Sequence, residues 1–330
     1  MSQGLRRIAL VVLLTGIAAV PAFGWGNGGH MAVAFVAYQN LTPQARDRVD
    51  ALIKLNPSYQ AWMALIPANT SPATQSEMLF MIAATWPDQI KGDPQHHADG
   101  TAGGNRPPDD GTAGQNIGYA DMAMHKYWHF IDEPFSQDGT PLHDPPTPNA
   151  ATQIAAFRAT LASDSPDALK SYDLVWLLHL VGDVHQPLHC AARFGHADPD
   201  GDDGGNRVAV CAGSKGKATA GKSKTPCKGE LHAFWDDLFG TSPNPDPAIK
   251  VGKSLPAAAA DLAGDLDATH WVREGLVEAA TKVYVNPPIG LGDGPFQITP
   301  AYRKAALSLA RERIALAGAR LANVLDKELR

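Results

Sequence analysis

The chain has 330 residues, and 44% of them are hydrophobic, so it is long enough to bury a substantial core. The formal net charge of −6 excludes a protein that attracts nucleic acid or an anionic membrane through an overall basic field. Alanine and leucine are frequent and alternating β-branched segments are scarce, which favours an all-α, mainly helical fold.

Residues 1–24 have the features of a signal peptide. Arg6 and Arg7 precede an apolar run from Ile8 to Val20, and small residues follow it. The run of about 13 residues is too short to span a bilayer comfortably, which favours a cleaved leader over an uncleaved anchor. We therefore expect a secreted or periplasmic protein whose single domain covers residues 25–330, without stable membrane association.

Cleavage after Gly24 would make Trp25 the amino terminus of the mature chain. A free α-amino group loses its proton near pH ~8 and can then bind metal together with the carbonyl of the same residue. His30 follows in WGNGGH and could add an imidazole. Considered alone, His30 would be interpreted as an ordinary surface histidine.

Helical patterns cover much of the mature chain. The expected helices are residues 30–39, 42–55 with Thr42 as N-cap, 76–85, 151–162, 167–184, 268–284 and 300–329. The core positions expected on the last helix are Leu307, Leu309, Ile314, Leu316, Leu321 and Leu325. Residues 91–118 and 134–150 are predicted loops because they are rich in Gly, Pro or Asp.

Two candidate site segments precede the central helix. Asp88 follows Pro87 at a predicted helix end, a loop position where catalytic groups concentrate, although such an aspartate is more often a turn or cap residue. His125 and His129 lie four apart in HKYWHFIDEP, a strand or an irregular buried segment, and spacing alone does not choose between them. On a strand, Phe130 would face the side opposite to His129.

The stretch WLLHLVGDVHQPLHC, residues 176–190, has the spacing of a metal site. His179 and Asp183 are four residues apart, so they share one face of a helix and could bind one ion. Pro187 cannot continue the helix, so His189 is expected to lie beyond its end and to reach a different ion. The same spacing recurs in LHAFWDD, at His232 and Asp236.

The segment between these two pairs carries weaker patterns. HADPDGDDGGNRV has the aspartates of a calcium loop, but Ala209 stands where the loop needs glutamate. Five lysines lie in residues 214–228, which form either a solvated loop or a phosphate-attracting arm. Cys211 and Cys227 are expected to form a disulfide, which leaves Cys190 over and buried.

Imidazole and carboxylate groups without thiolates suit catalytic zinc. Nine candidate ligands exceed what one zinc ion takes and fit about three ions. They are Trp25, His30, Asp88, His129, His179, Asp183, His189, His232 and Asp236.

The chain resembles the zinc-dependent, single-strand-specific nucleases of the S-one/P-one family, which are related in fold to the bacterial zinc phospholipases C. The motifs that carry the resemblance span the mature chain in the family's order. They are WGNGGH, TWPD, WHFID, HLVGDVHQPLH, GGN at residues 204–206, LHAFWD, WVRE and AGARLANVL.

The resemblance implies a mainly helical domain with three zinc ions in a cleft. One ion would be held by Asp88, His129 and His179, and Asp183 would bridge it to a second ion held by Trp25 and His30. The third ion would be held by His189, His232 and Asp236. His125 and His185 then become structural residues.

The resemblance also implies the substrate contacts. Phe130 would stack on a base and Asp132 would accept a hydrogen bond from it, while Asn206 and Lys91 would contact the substrate. The family more often has arginine near the position of Lys91, and lysine neutralises a phosphate without the bidentate fork.

The implied activity is hydrolysis of single-stranded DNA and RNA, and of 3′-nucleotides, to 5′-phosphate products by a monomer. A hydroxide held between zinc ions would be the nucleophile, and Asp88 would orient it. The alternatives are a phospholipase C with the same zinc cluster and a zinc-stabilised protein without catalysis.

Overall fold

The computed structural model describes residues 25–211 and 229–329. The predicted signal peptide, the lysine-rich segment and Cys227 lie outside these residues, so the leader and the Cys211–Cys227 disulfide stay predictions. The helices are α1 Asn27–Asn40, α2 Pro43–Ile53, α3 Tyr59–Met63, α4 Pro72–Ala83, α5 Trp86–Gln89, α6 Ala150–Ala162, α7 Asp167–Asp183, α8 Leu231–Asp236, α9 Pro245–Lys253, α10 Ala260–Ala263, α11 Ala268–Glu278 and α12 Pro300–Glu328. The mainly helical fold predicted from the sequence is confirmed.

The helix ends follow local capping rules. The Thr42 hydroxyl accepts a hydrogen bond from the Ala45 amide at the start of α2, and Thr299 caps α12 in the same way. Proline occupies the first turn of both helices, where the missing N–H costs nothing. These signals explain why the observed bounds lie within a few residues of the predicted ones.

Two predictions about the helices are corrected. Asp88 lies within the short helix α5 and not in a loop, because Pro87 is compatible with a first helical turn and starts a new helix after the N-cap Thr85. Leu307 is 39% exposed, whereas the other five core positions expected on α12 are buried. Leu307 lies on the outer face of α12, whereas Tyr302, Ala306 and Ala310 on the inner face are buried.

Helix α7 forms the centre of the hydrophobic core. Every residue from Ser171 to Asp183 is buried, because α1, α2, α6 and α12 pack around this helix. Full burial of each leucine or valine side chain stabilises the fold by about 1.5–3 kcal/mol, so the helix that ends in the candidate ligand Asp183 is held firmly. None of the helices in the described residues is long and apolar enough to cross a membrane.

Five short strands complete the described part of the fold. β1 Glu133–Ser136 pairs in parallel with β2 Ala191–Phe194, in the register Glu133 to Ala191. β3 Ala209–Cys211 lies between β4 Gly229–Glu230 and β5 Phe296–Gln297. The pair β1–β2 follows His129 in one segment and His189 in the other, so it aligns two distant ligand candidates.

Candidate metal centre

The end of α7 presents the first two candidate ligands. The His179 Nδ1 atom lies 2.8 Å from the Ala84 carbonyl oxygen, which accepts its hydrogen bond. This contact leaves the Nε2 lone pair of His179 directed toward Asp183, whose Oδ2 atom is 3.2 Å away. Both side chains are fully buried, so the centre is built at the inner end of the central helix.

Backbone contacts next to β1 and β2 join His129 and His189. The Ile131 amide donates to the His189 carbonyl at 2.8 Å, and His189 Nδ1 donates to the His129 carbonyl at 2.7 Å. The segment of His129 is irregular before β1 begins, yet its burial alternates as a strand would, because His129 and Ile131 are buried while Phe130 and Asp132 are half-buried. The alternation turns Phe130 and Asp132 away from the core.

Helix α8 supplies the next pair. His232 Nδ1 donates to the Gly204 carbonyl at 2.8 Å, which leaves Nε2 free to face Asp236 Oδ2 at 3.3 Å. Gly204 has φ 61°, and an added Cβ would lie 2.4 Å from the Leu188 carbonyl oxygen. Only glycine therefore allows the GGN turn to approach His232 this closely.

Helix α1 places His30 next to His179 and Asp183. Its ring stacks on His179 with a centroid distance of 3.8 Å, and its Nε2 atom is 3.4 Å from Asp183 Oδ1. A Cβ on Gly182 would lie 2.8 Å from His30 Nδ1, so this glycine makes the room for the ring. The interpretation of His30 as a surface histidine is wrong, since the residue is fully buried.

The start of the described chain is anchored beside the centre. The Trp25 side chain is fully buried and packs edge-on against Phe239 at a centroid distance of 5.9 Å. The next residue, Gly26, donates its amide proton to the Asp236 carbonyl at 2.8 Å. The backbone of Trp25 is therefore held close to one of the candidate ligands.

The structure brings together all eight histidines and aspartates selected from the sequence as ligands. They form three groups in which the ligand atoms lie within 4.8 Å of one another: His30, Asp88 and His179; His129, His179 and Asp183; and His189, His232 and Asp236. The last group is the set expected for the third ion. The first two groups both contain His179. His30 lies near Asp88 of its own group and also near Asp183 of the second group.

Unpaired buried atoms show that these groups fit metal ions. Both ring nitrogens of His30, Nε2 of His129 and Oδ1 of Asp183 are buried without a hydrogen-bond partner. Imidazole nitrogens also face each other, with His179 Nε2 2.9 Å from His129 Nδ1 and His232 Nε2 3.1 Å from His189 Nε2. Buried polar atoms normally have partners, so converging lone pairs of this kind suit cations.

Burial keeps several of these histidines neutral. It lowers the pKa of His30 to about 4 and, with neighbouring positive charges, the pKa of His129 and of His232 to about 3. A metal ligand must be unprotonated, and these three imidazoles meet that condition even in mildly acidic solution.

Lys91 sets the charge of Asp88. Burial alone would raise the pKa of Asp88, but Lys91 and the neighbouring histidines outweigh it and lower that pKa below its ordinary value. The Lys91 Nζ atom is 2.8 Å from Asp88 Oδ1, and the side chain is 2% exposed. Asp88 is therefore ionised throughout the neutral range.

Two further histidines in the motifs have structural partners. His125 lies between Asp99 at 2.9 Å and Asp121 at 2.8 Å. His185 donates from Nδ1 to the Val181 carbonyl at 2.7 Å and accepts from Arg320 at 3.0 Å. Their ring nitrogens are thus directed away from the three groups.

A cleft of about 990 Å³ opens over the centre. His129, His189 and His232 line its inner part, and Lys91 lies beside them. Besides Lys91, the other three residues expected to contact substrate line it as well, namely Phe130, Asp132 and Asn206. A ligand in this cleft would reach the metal groups and the exposed edge of Phe130 together.

Gln186 is a site residue that the sequence analysis missed, although it lies in the motif HQPLH. Its Nε2 atom donates to Asp236 Oδ1 at 2.8 Å, and its Oε1 atom accepts from the Leu188 amide at 2.6 Å. The side chain is fully buried. It therefore orients Asp236 so that the other carboxylate oxygen, Oδ2, faces His232.

Gln186→Met should weaken binding of one ion of three, because Asp236 loses the partner that orients it. Loss of such a partner typically costs about 10–100-fold in metal affinity. Titration with zinc in the presence of a competing chelator measures the affinity for each ion. Gln153→Met, at another buried glutamine on α6, is the matched control and should leave all affinities unchanged. Equal affinities in both variants would contradict the role of Gln186.

Comparisons with known proteins agree with this geometry. A family model described as S1/P1 Nuclease, the S-one/P-one family that the motifs resemble, matches residues 25–330. Endonuclease 4 of Arabidopsis thaliana is 28% identical over 194 residues, which are 50% of this chain and 54% of that protein. The chain thus spans about half the length of the curated relative it matches. The chain belongs to the S1/P1 nuclease family.

Proposed function

We propose that this protein is a zinc-dependent endonuclease that hydrolyses phosphodiester bonds of single-stranded DNA and RNA to 5′-phosphate products, and that also accepts 3′-nucleotides. The observation that carries the proposal is the clustering of three buried His/Asp groups, two of which contribute residues to a cleft that Phe130 also lines. The relative named Endonuclease 4 supports the same class of reaction.

The proposed zinc ligands are the eight clustered side chains together with the amino and carbonyl groups of Trp25. Zinc at such a site lowers the pKa of water toward ~7 and stabilises negative charge on phosphoryl oxygens. Zinc fits because the ligands are imidazoles and carboxylates, and thiolates are absent from the three groups. We also propose that the mature protein is secreted or periplasmic and monomeric.

Asp88, Lys91 and Asn206 position the substrate and the attacking water. Asp88 stays ionised beside Lys91, so its carboxylate can orient water by accepting a hydrogen bond. Lys91 lines the cleft, and we assign its ammonium group, which also pairs with Asp88, to the substrate phosphate. Asn206 offers an amide on the opposite segment, in the turn that also positions His232.

Phe130 accounts for the preference for single strands. A base can stack on its ring only when it is unpaired, and every base has a face that suits such stacking. Asp132 lies beside it, and burial and the neighbouring Asp203 raise the pKa of this carboxyl to about 7. The proposed contacts are made to the base and the phosphate and none is made to the sugar, so DNA and RNA are both substrates.

The test combines the zinc content of the purified protein with hydrolysis of single-stranded DNA, RNA and phosphatidylcholine. We expect three zinc ions per chain and cleavage of both nucleic acids. Turnover of phosphatidylcholine without cleavage of nucleic acid would favour the phospholipase C alternative. Zinc binding without any hydrolysis would favour a metal-stabilised protein that is not an enzyme.

Phe130→Ala should raise KM for single-stranded DNA by about 5–150-fold, since stacking on an aromatic ring contributes about 1–3 kcal/mol per base. Zinc content should not change, because the ring is not a ligand. Phe130→Tyr retains the stacking surface and should keep KM near the wild-type value. Loss of all three ions in Phe130→Ala would refute the assigned role.

A further inference from the structure

The cations that line the cleft differ in what they contact. Lys91 is paired with Asp88 at 2.8 Å, and Arg207 is paired with Asp203 at 2.9 Å. The guanidinium of Arg106 makes no hydrogen bond or ion pair with any residue that the structure describes. Arg106 therefore presents a positive charge to the cleft without a direct ion-pair partner among the described residues.

Lys126 lies next to Arg106 on the same wall. Its ammonium group donates to the Gly103 carbonyl oxygen at 3.1 Å, a neutral partner that leaves its charge uncompensated. This contact also ties Lys126 to the turn that carries Arg106. The two cations thus belong to one local structure.

The turn at residues 101–106 is held by backbone hydrogen bonds. Thr101 and Arg106 exchange backbone hydrogen bonds of 3.0 and 3.2 Å, as across a strand pair. Gly103 and Gly104 have φ of 70° and 93°, which allow the chain to reverse between them. Asp99, just before the turn, accepts from the His125 amide at 2.8 Å. Arg106 is consequently presented from a defined position and not from a long free loop.

Arg106 also lies on the base-binding side of the cleft. Burial and Asp203 raise the pKa of Asp132, whereas the charge of Arg106 opposes that increase. Arg106 and Lys126 line the same cleft as Phe130 and Asp132. The cationic wall therefore adjoins the position expected for the base that stacks on Phe130.

We propose that Arg106 and Lys126 form a second phosphate-binding subsite, which takes the phosphodiester of the nucleotide next to the one stacked on Phe130. The inference rests on the proposed nuclease function and adds its substrate class, oligonucleotides in preference to 3′-mononucleotides. Arginine binds two phosphate oxygens at once through its planar fork, and lysine adds a point charge.

The experiment measures kcat and KM for an eight-nucleotide single-stranded oligonucleotide and for a 3′-mononucleotide. The enzymes compared are the wild type, Arg106→Gln, Lys126→Gln and the double variant. Lys304→Ala, at an exposed lysine on α12 outside the cleft, is the control. Binding of a fluorescent phosphorothioate oligonucleotide by anisotropy gives a readout that is independent of turnover.

We expect the double variant to raise KM for the oligonucleotide by about 10-fold or more, with kcat unchanged and mononucleotide hydrolysis unaffected. The slope of log affinity against log salt should fall by about 0.7, because the subsite neutralises one phosphate of a single strand. Equal effects on both substrates, or unchanged oligonucleotide binding, would overturn the subsite.

The two proposals fail separately. If the wild type hydrolyses neither substrate, the nuclease proposal fails, while weaker oligonucleotide binding by Arg106→Gln still supports a phosphate subsite. If the wild type hydrolyses both substrates and the variants match it in KM and in binding, only the subsite is refuted.

Discussion

Asp183→Asn is expected to remove two zinc ions and to lower kcat/KM by about 10³-fold or more. The carboxylate of Asp183 lies 3.4 Å from His30 and 3.1 Å from His129, so one side chain contacts ligands that the family resemblance assigns to two different ions. The amide of asparagine carries no charge and offers one acceptor oxygen in place of two. Metal ions contribute several kcal/mol to such reactions, which corresponds to this loss of rate.

Asp173→Asn is a matched control for this prediction. Asp173 lies on the same helix, is fully buried and accepts from Asn116 at 2.7 Å, outside the three groups. We expect this variant to keep three ions and its activity. The measurements are zinc by mass spectrometry and hydrolysis of single-stranded DNA. Full zinc content in Asp183→Asn would discard the bridging assignment.

A mature protein that keeps a few extra residues before Trp25 should lose an ion and at least about 10²-fold in activity. A peptide amide in place of the free amine cannot bind metal, and the loss should exceed the 10–100-fold typical of an outer-shell partner. The structure places this residue suitably, since its ring is buried and the Gly26 amide is bonded to the Asp236 carbonyl.

The same short extension at the carboxyl terminus controls for the added residues. It should change neither zinc content nor activity, whereas the amino-terminal extension should lower both. Inductively coupled plasma mass spectrometry gives the number of ions per chain. An amino-terminally extended protein with three ions and normal activity would show that the α-amino group of Trp25 is not a ligand.

The sequence predicted the features that depend on short spacing. His179 and Asp183 share one face of α7, and α7 ends at Asp183 just ahead of Pro187, as the spacing indicated. Sequence patterns could not place the Ala84 carbonyl against His179 or Gln186 against Asp236. The second of these contacts joins segments about fifty residues apart, and no periodicity or motif encodes such a distance.

By itself, then, the amino-acid sequence determined the seven longest helices, the Thr42 cap and the chemical identity of the candidate ligands, because neighbouring residues settle those properties locally. Only the tertiary structure decided which ligands share an ion-sized space. The parallel pair β1–β2 joins His129 to His189, and the turn at Gly204 brings a carbonyl to His232. These juxtapositions arise from packing of the whole chain around α7, which minimises exposed apolar surface and which no single segment specifies.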